Sequence, residues 1–380
     1  MTVTVVCDVL GEENNGTTIA AMNLIRTLRK KGHTVRVVCP DQNRAGQPGF
    51  FVVPTYNLGP LNGYVAKNGV SLAKPVRRTL ELALDGADVV HVLIPFALGH
   101  AAALMAREKG IALTAGFHCQ AENFTNHIFL MNAELINRMT YRFFYRRVYR
   151  YCDCIHYPSQ FICDLFENQV GQTPHYVISN GVNRAFAKQD VPRPAELDGK
   201  FVILSTGRYS REKAQGVLLD AVAKSRYRDR ILLILAGKGP QQENLTRHAY
   251  RAGIRPPVFG FYSREDLIRV INLADLYVHP AEIEIEAIAC LEAIACGKVP
   301  IISDSPRSAT RHFALSERNL FHCNDSSDLA ERIDYWLDNP QAREECSQAY
   351  LGYSRQFDFD RCMDAMEQML QDAAEGRRCG

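Results

Sequence analysis

Several features that define other protein classes are missing from this sequence of 380 residues. No segment offers the roughly 20 uninterrupted apolar residues of a membrane-spanning helix, because His, Pro and Gly interrupt even the long apolar stretch 88–106. The first ten residues, MTVTVVCDVL, lack the basic start and the cleavage pattern of a secretory signal peptide. We therefore expect a cytoplasmic protein without a membrane-spanning helix.

Charge balance and cysteine spacing argue against further classes. Lys and Arg number 44 against 42 Asp and Glu, so no overall positive excess points to nucleic acid as a partner. The 12 cysteines include no CxxC pair, which disfavours a zinc site or a disulfide framework and favours buried reduced thiols. We therefore expect no cysteine-bound metal.

The sequence does contain short apolar strands that alternate with amphipathic helices in two series. The first series includes TVTVVC, HTVRVVCP, ADVVHVLIP and GIALTAGFH, and the second includes KFVILSTG, RILLILAG, ADLYVHP and KVPIISD. This pattern is typical of doubly wound parallel sheets and predicts an α/β protein with two Rossmann-like domains. We place the domains at 1–180 and 181–355, with 178–200 as the linker region. We expect the last segment, 356–380, to be a helix that packs back toward the first domain.

The stretch HPAEIEIEAIACLEAIACGKVPIISDSP, residues 279–306, places four carboxylates in apolar surroundings. Glu282, Glu284 and Glu286 alternate with isoleucines, which indicates an extended segment, and the apolar spacing after them predicts a helix. Glu292 falls in the middle of that helix, where an unpaired charge is costly. A carboxylate in such a place commonly binds hydroxyl donors, such as those of a ribose or a sugar. The alternatives are a structural ion pair for Glu292, and solvation or helix capping for Glu282 and Glu286.

Basic residues follow the first strand of the second series. Arg208 and Lys213 stand between the strand KFVILSTG and the next helix. Another basic residue follows the next strand, where the turn KGP comes directly after ILLILAG. Ligands of open parallel sheets bind beyond the carboxyl ends of the strands. Cations and free amides at helix starts suit a phosphorylated ligand. The alternative is that Arg208 and Lys213 are solvated loop charges.

Five motifs, in order along the chain, resemble those of the family-four glycosyltransferases. The spacing Glu284-x7-Glu292, followed by AIACGKVPII, resembles the signature of that family. Four further segments resemble its N-terminal glycine loop, the entry to its interdomain linker, its phosphate-binding strand end and its next glycine turn: Asn15-Gly16-Thr17, Ile178–Val182, Thr206-Gly207-Arg208 with Lys213, and Ala236–Pro240. The resemblance spans nearly the whole chain. It implies a GT-B fold, in which an acceptor-binding and a nucleotide-sugar-binding Rossmann-like domain face a central cleft, and retaining transfer that requires no metal and no cofactor. In agreement, no DxD motif stands in a loop suited to a metal–diphosphate complex, since Asp358-Phe359-Asp360 belongs to the C-terminal segment.

The resemblance also implies roles for individual residues. Glu292 would hold the ribose hydroxyls of the donor, and Glu284 would contact the donor sugar near its 3-hydroxyl. Arg208 and Lys213 would stabilise the departing diphosphate. His118, at a strand end of the first domain, matches the family's histidine near the reacting centre, and the alternative is a structural loop histidine. The catalytic set is thus His118, Arg208, Lys213 and Glu284, and the donor-binding set is Gly16, Gly207, Arg208, Lys213, Gly237, Glu284, Ile288, Ala289 and Glu292.

The sequence departs from the family pattern in two places. Ile285-Glu286-Ala287 stand where the family often has small or glycine residues after the first signature Glu. The donor-sugar pocket is therefore expected to differ. Residues Asp304–Thr310 replace the glycine-rich turn and Glu that many members have after the last strand. For these reasons the sequence does not assign the sugar.

A basic, aromatic segment marks the first domain. Residues 1–180 carry 17 Lys and Arg against 13 Asp and Glu, and the excess is concentrated in LINRMTYRFFYRRVYRY, residues 135–151. Helical spacing separates a face of Tyr141, Phe144, Val148 and Tyr151 from five arginines: Arg138, Arg142, Arg146, Arg147 and Arg150. A basic helix with aromatic residues is typical of a membrane-surface element. The alternative is that the apolar face packs on its own domain while the arginines contact water.

Some family members are peripheral membrane enzymes that glycosylate lipids, and the sequence resembles such bacterial diacylglycerol glycosyltransferases. We therefore expect a retaining hexosyltransferase that uses a nucleotide sugar such as UDP-hexose, with a membrane lipid such as diacylglycerol as acceptor. It would attach peripherally to an anionic membrane at the inner face of the cell membrane. The alternatives are a soluble sugar or polysaccharide acceptor, and a GT-B nucleotide-sugar epimerase, which needs no external acceptor. A noncatalytic sugar-nucleotide-binding subunit is disfavoured, because the predicted catalytic cations and carboxylates are retained.

Overall fold

The computed structural model describes residues 1–8, 10, 16–57, 59, 72–122 and 133–377. The chain divides into two units. One consists of residues 1–180 together with the segment from Asp360 onward, and the other consists of residues 181–359. Each unit contains one parallel sheet flanked by helices, as the two series of strands predict.

The first unit is built on a seven-stranded sheet in the order β3-β2-β1-β4-β5-β6-β7, and all its strand pairs are parallel. Its strands are β1 Thr2–Val6, β2 Thr34–Cys39, β3 Phe50–Val52, β4 Val89–Val92, β5 Ala112–Gly116, β6 Cys154–Tyr157 and β7 His175–Val177. Its helices up to residue 180 are α1 Gly16–Lys30, α2 Arg77–Leu84, α3 Ala97–Glu108, α4 Glu134–Arg147 and α5 Gln160–Val170. The central strands are buried because helices cover both faces of a parallel sheet.

The second unit is built on a six-stranded parallel sheet in the order β10-β9-β8-β11-β12-β13. Its strands are β8 Phe201–Thr206, β9 Ile231–Ala236, β10 Val258–Gly260, β11 Leu276–His279, β12 Pro300–Ser303 and β13 Leu320–Phe321. Its helices are α6 Gln215–Lys224, α7 Gln242–Arg251, α8 Arg264–Leu273, α9 Ile288–Ala295, α10 Ser326–Asp338 and α11 Pro340–Ser354. Both sheets thus have the order of a doubly wound fold.

Successive residues of β8 contribute to two different cores. Ile203 belongs to a core that includes Leu218 of α6 and Trp336 of α10. Leu204, the next residue, belongs to a second core that includes Leu291 of α9. This alternation follows from the two-residue period of a strand. Burial of both faces leaves the polar loops at the carboxyl ends of the strands as the place for a ligand.

The C-terminal helix α12, Phe359–Ala374, belongs to the first unit from Asp360 onward. The helix is confirmed, and one side of it is buried: Cys362, Met366, Met369 and Leu370. Polar contacts fix the same helix to the first unit. Lys31 forms an ion pair with Glu367, and the Tyr176 hydroxyl donates to Asp372 at 2.7 Å.

Two of the expectations from composition can be compared with the structure. Within the described residues, no helix is long and apolar enough to cross a membrane. Among the described residues, ten cysteines carry free thiols, most of them buried. Cys154 is disulfide-bonded, so the expectation of reduced thiols is wrong for that residue.

Candidate functional site

The site predicted in the second half of the chain lies where the second sheet reverses its strand order. β8 and β11 are neighbours at this reversal, and the loops 207–214 and 280–287 follow their carboxyl ends. Open parallel sheets bind ligands at such a point, because the loops on its two sides lead to opposite faces of the sheet. Arg208, Lys213 and Glu284 all lie in these two loops.

Two glycine turns pack against each other beside this point. The Gly207 amide donates to the Ala236 carbonyl at 2.9 Å, and the Gly237 amide donates to the Gly260 carbonyl at 2.7 Å. A Cβ on Gly237 would lie 2.0 Å from the Gly207 carbonyl oxygen, so any other residue would displace the backbone. Gly207 and Gly237, both predicted from the sequence, therefore lie next to each other and join the ends of β8 and β9.

Glu284 is held by two basic side chains. Its Oε1 forms an ion pair with Lys213 and accepts a hydrogen bond from His279 Nε2 at 3.0 Å. Burial alone would raise the pKa of Glu284, but the Lys213 charge and the contacts with His279 outweigh burial and lower the pKa to about 2. Glu284 is therefore ionised at any physiological pH. Lys213 and Glu284, predicted as separate donor contacts, are in direct contact.

A chain of hydrogen bonds among buried side chains supports Glu284. Because the carboxylate can only accept, His279 Nε2 carries the proton and Nδ1 accepts from the Tyr277 hydroxyl at 3.1 Å. The Tyr277 hydroxyl in turn contacts Thr206 Oγ1 at 2.8 Å. Tyr277 and His279 were not among the residues predicted from the sequence. A usable signal was their alternation on β11, which places two polar side chains on one face directly before the acidic loop.

Glu292, eight residues after Glu284, is in the opposite electrostatic state. Its side chain makes no hydrogen bond and no ion pair within the part of the chain that the structure describes. Burial raises its pKa to about 8, against a smaller lowering by Arg264. The alternative of a structural ion pair for Glu292 is therefore wrong for the described residues. A mostly covered carboxyl without a partner can instead accept hydrogen bonds from a ligand.

Two alanines with left-handed backbone precede the helices that start at the site. Ala214 has φ 49° at the start of α6, and Ala287 has φ 64° at the start of α9. Neither provides a side-chain cap, so the first amides of both helices have no capping side chain at these positions. Ile288 and Ala289, predicted donor contacts, are the first two residues of α9. An L-residue in this conformation costs about 1–2 kcal/mol, and such strain commonly occurs at functional sites.

The other two glutamates of the acidic run have structural partners. Glu282 pairs with Arg307 at 3.0 Å, and its carbonyl accepts from Ser305 Oγ at 2.6 Å. Glu286 is only 4% exposed. The alternative that Glu282 and Glu286 are solvated is therefore wrong. The segment 304–310, which departs from the family pattern, fixes the acidic loop through an isolated parallel bridge between Ser308 and Glu284.

In the first unit, His118 follows β5 as a half-buried side chain without a hydrogen bond from its ring among the described residues. Burial and the neighbouring His156 and His91 lower its pKa well below the usual value. Gly16 begins α1, and the next residue, Thr17, approaches the His118 carbonyl with its hydroxyl at 3.5 Å. His118 and the start of α1 are therefore neighbours. Asn15 of the predicted glycine loop lies outside the described residues.

The structure corrects the prediction for the basic helix. The expected membrane-facing side is part of the core, since Tyr141, Phe144 and Val148 are at most 2% exposed. Tyr141 stacks on Phe117 with centroids 6.3 Å apart and meets Phe166 at 5.9 Å. The helix α4 also ends at Arg147 and continues as a short 3-10 turn. These aromatic residues therefore cannot enter a bilayer. The alternative interpretation, that this apolar face packs on its own domain, is the correct one.

A different apolar stripe of α4 is exposed. Leu135, Met139 and Phe143 are 69%, 62% and 51% exposed and recur every four residues on the helix surface. Four of the five predicted arginines are also exposed: Arg138, Arg142, Arg146 and Arg150. Arg147 is half-buried, with its guanidinium 5.5 Å from the Phe143 ring centre. The arginines were predicted from the sequence but this stripe was not, because spacing alone does not say which apolar face of a helix is buried.

One cluster of the described residues could hold a metal ion, and it lies in the first unit: Cys163, Glu167 and His175. Glu167 Oε1 already accepts from the Thr173 amide at 3.0 Å and the Thr173 hydroxyl at 2.8 Å, and lies 2.9 Å from His175 Nδ1. This arrangement fastens the start of β7 to α5. Hydrogen bonds within the protein therefore account for the cluster.

Both parts of the chain match glycosyltransferase family models. Residues 14–186 match the model "Glycosyltransferase Family 4", and residues 187–350 match the model "Glycosyl transferases group 1". The matches follow one another and together span most of the chain. With the two parallel-sheet units, they define a glycosyltransferase of the GT-B class. The chain belongs to the glycosyltransferases that combine these two domains, and it resembles lipid glycosyltransferases.

The curated relatives that match most of this chain are only 21–25% identical to it. The alpha-monoglucosyldiacylglycerol synthase of Streptococcus pneumoniae (strain ATCC BAA-255 / R6) is 24% identical over 77% of this chain and 68% of its own length. The GDP-mannose-dependent alpha-mannosyltransferase of Corynebacterium glutamicum is 25% identical over 99% of this chain and 89% of its own. Among solved structures, Anabaena Alr3699/HepE in complex with UDP-glucose superposes with a TM-score of 0.76 at 17% identity, covering 98% of this chain and 100% of that chain. The structural likeness shows the shared fold.

Proposed function

We propose that this glycosyltransferase is a retaining enzyme that transfers a hexose from UDP-hexose to a membrane lipid such as diacylglycerol. The observation that carries the donor half of the proposal is the contrast between Glu284 and Glu292. Glu284 is ionised and held by Lys213 and His279, whereas Glu292 is mostly covered and has no partner in the described residues. Two carboxylates eight residues apart thus have environments suited to two different contacts.

Glu292 is proposed to bind the ribose of the donor. A carboxylate accepts hydrogen bonds from two vicinal hydroxyls without competition when it has no protein partner. Glu284, whose position is fixed, is proposed to contact the sugar near its 3-hydroxyl. Donors that carry UDP are favoured because Alr3699/HepE shares the fold and was solved with UDP-glucose. The relative that uses GDP-mannose makes GDP-hexoses the comparison donor.

Lys213 and Arg208 are proposed to stabilise the departing diphosphate. Negative charge grows on the β-phosphate as the glycosidic bond breaks, and fixed cations stabilise that charge more in the transition state than in the ground state. Both residues lie in the loop that follows β8, and α6 begins directly after it. The amides at a helix start add to the attraction for phosphate. We propose that these groups make a divalent metal unnecessary.

The state of Glu284 favours direct displacement over a covalent intermediate. A double displacement needs a carboxylate free to attack the anomeric carbon. Lys213 and His279 both contact Glu284 Oε1, and they lower the pKa of Glu284 to about 2, which makes the carboxylate a weak nucleophile. Retention is therefore proposed to occur by front-face displacement, in which the departing phosphate helps to deprotonate the acceptor. The neutral His118 is proposed to contact the reacting sugar as a hydrogen-bonding group.

A lipid acceptor is supported by relatives and by α4. The two alpha-monoglucosyldiacylglycerol synthases among the relatives act on a lipid by name. The exposed stripe Leu135, Met139 and Phe143 stands beside exposed arginines, which suits an anionic bilayer surface. We propose that α4 holds the enzyme at the membrane where the lipid lies, as a peripheral protein.

A donor screen tests the nucleotide-binding part of this proposal. Thermal unfolding of the pure protein is followed with UDP-glucose, UDP-galactose, GDP-mannose or ADP-glucose, since a ligand at 100 times its Kd stabilises the native state by about 2.7 kcal/mol. We expect the largest shift with a UDP-sugar and a much smaller one for Glu292→Gln. The exposed Glu243 serves as the matched control through Glu243→Gln. Equal shifts for both variants would remove the ribose assignment. Formation of an epimer from the UDP-sugar without acceptor would instead indicate an isomerase.

A further inference from the structure

Three histidines on neighbouring strands converge below the end of β5. His91 lies on β4, His118 follows β5, and His156 lies on β6. The rings of His118 and His156 pack edge to face, with centroids 5.6 Å apart and planes at 65°. His156 Nε2 donates to the Ile178 carbonyl at 2.6 Å, and His91 Nδ1 contacts Thr114 Oγ1 at 2.8 Å. His91 and His156 are therefore fixed by their own contacts, whereas His118 depends on packing.

Gly116 supplies the space that His118 occupies. A Cβ built on Gly116 would lie 2.6 Å from His118 Nε2 and 2.7 Å from its Cδ2, and 3.5 Å from His91 Nε2. The backbone of Gly116 is not in the left-handed region. The imidazole of His118 is thus the group that excludes a side chain here. The His118 ring therefore occupies the space that a side chain at position 116 would need.

We infer that Gly116 is a positioning residue. Because it has no side chain, it leaves a space, here called the seat, in which the His118 ring is held against His156 and His91. The inference rests on the proposed role of His118 in sugar transfer. The ring has no hydrogen bond of its own among the described residues, so in this part of the chain its position is set by packing over Gly116 and against His156. Burial and the adjacent imidazoles keep the pKa of His118 low, which is consistent with a neutral ring that can both donate and accept.

The substitution Gly116→Ala tests the seat directly. The atoms that a methyl group would meet first are at the far end of the His118 side chain, so the ring can move away while β5 stays intact. We expect the melting temperature to change little and turnover to fall roughly 10- to 100-fold, the range expected when a reacting group is misplaced by about 1 Å. UDP binding, measured by calorimetry, should be unchanged. Gly352→Ala, at a helix glycine with nothing within 4 Å of a Cβ, is the control.

A double-mutant cycle separates the seat from a general effect on the fold. His118→Ala should lower turnover, and adding Gly116→Ala to that variant should cause no further loss. Losses that multiply would show that Gly116 acts through the fold, which overturns the inference. Full activity of Gly116→Ala beside an impaired His118→Ala would also overturn it. Full activity of His118→Ala would remove the proposed role of His118, and the inference with it, while leaving the donor site untouched.

A second variant keeps the inference testable if Gly116→Ala does not fold. His156→Ala removes one wall of the seat, and we expect a loss of turnover that disappears in the His118→Ala background. The proton NMR signal of the His118 ring should shift in His156→Ala and stay in place in Gly352→Ala. An unchanged ring signal together with unchanged turnover in His156→Ala would overturn the seat.

Discussion

We expect UDP binding by the wild-type protein to depend on pH through Glu292, and Glu292→Gln to abolish that dependence. The pKa of Glu292 is raised to about 8 by burial, so at pH 7 roughly nine in ten molecules carry a protonated carboxyl there. If the ribose hydroxyls donate to the ionised form, a proton must leave when the nucleotide binds. The apparent Kd should then rise about tenfold for each pH unit below 8 and level off above it.

Isothermal titration with UDP between pH 6.5 and 9 measures this effect. Over that range the terminal phosphate of UDP is mainly ionised, since its pKa is about 6. We expect an overall change of about 30-fold in Kd and the release of close to one proton at pH 7, seen as a dependence of the heat on buffer. Glu292→Gln should show weaker binding at pH 9 and little dependence on pH. Glu243→Gln should behave as wild type.

Lys298 is an alternative source of a pH dependence near pH 8. Lys298 also has a pKa near 8, lowered by burial, and its ammonium donates to the Asn272 carbonyl at 2.7 Å and the Ala274 carbonyl at 2.9 Å. If Glu292→Gln keeps the full pH dependence, the titrating group is another one, such as Lys298. The assignment of Glu292 to the ribose would then be wrong.

Further predictions follow from the same contacts. Lys213→Ala and Arg208→Ala should each lower turnover by roughly 10²- to 10³-fold, the typical loss of one fixed charge-stabilising group; steady-state kinetics with near-normal rates would contradict the phosphate assignment. Chelation by EDTA should leave most activity, and complete, Mg²⁺-reversible inactivation would show that a metal is needed. Ala287→Gly should raise the free energy of unfolding by on the order of 1 kcal/mol by relieving the left-handed strain, and a melting curve that moves downward would oppose this. Two triple variants test the membrane role of α4: Arg142, Arg146 and Arg150 changed together to Glu, and Leu135, Met139 and Phe143 changed together to Ser. Each should abolish pelleting with anionic liposomes at an unchanged circular dichroism spectrum, and for the arginines the reason is that each surface cation contributes about 1 kcal/mol. Leu82→Ser is the control at an exposed leucine elsewhere in the unit, and pelleting equal to wild type would remove the membrane role of α4.

The alternation of strands and helices was sufficient to predict both sheets, because buried parallel strands are continuous apolar runs bounded by polar turns. The position of Lys213 against Glu284 could not be predicted in the same way. Those residues are 71 positions apart, and their contact depends on β8 and β11 being neighbours in the sheet. The connectivity that brings them together is a property of the whole unit.

The helix α4 shows a different limit. The sequence of α4 has apolar residues on two faces. The spacing identified one of these faces as the apolar side of an amphipathic helix. Which face is buried is decided by Phe117 and Phe166, which contact Tyr141 from β5's end and from α5. Tyr277 and His279 show a related limit, since they look like ordinary strand residues until their hydrogen bonds to Glu284 and Thr206 are seen.

The chemistry of transfer is tested most directly by identifying the product. Pure protein is incubated with UDP-glucose and anionic vesicles that contain diacylglycerol, and the lipid extract is examined by NMR for the anomeric configuration of the new linkage. We expect a glycosylated lipid with the α configuration of the donor, formed in the presence of EDTA and strongly reduced for Lys213→Ala. If UDP-glucose and the other UDP- and GDP-hexoses give a lipid product with inverted configuration, or give only an epimerised nucleotide sugar, the proposed reaction is wrong.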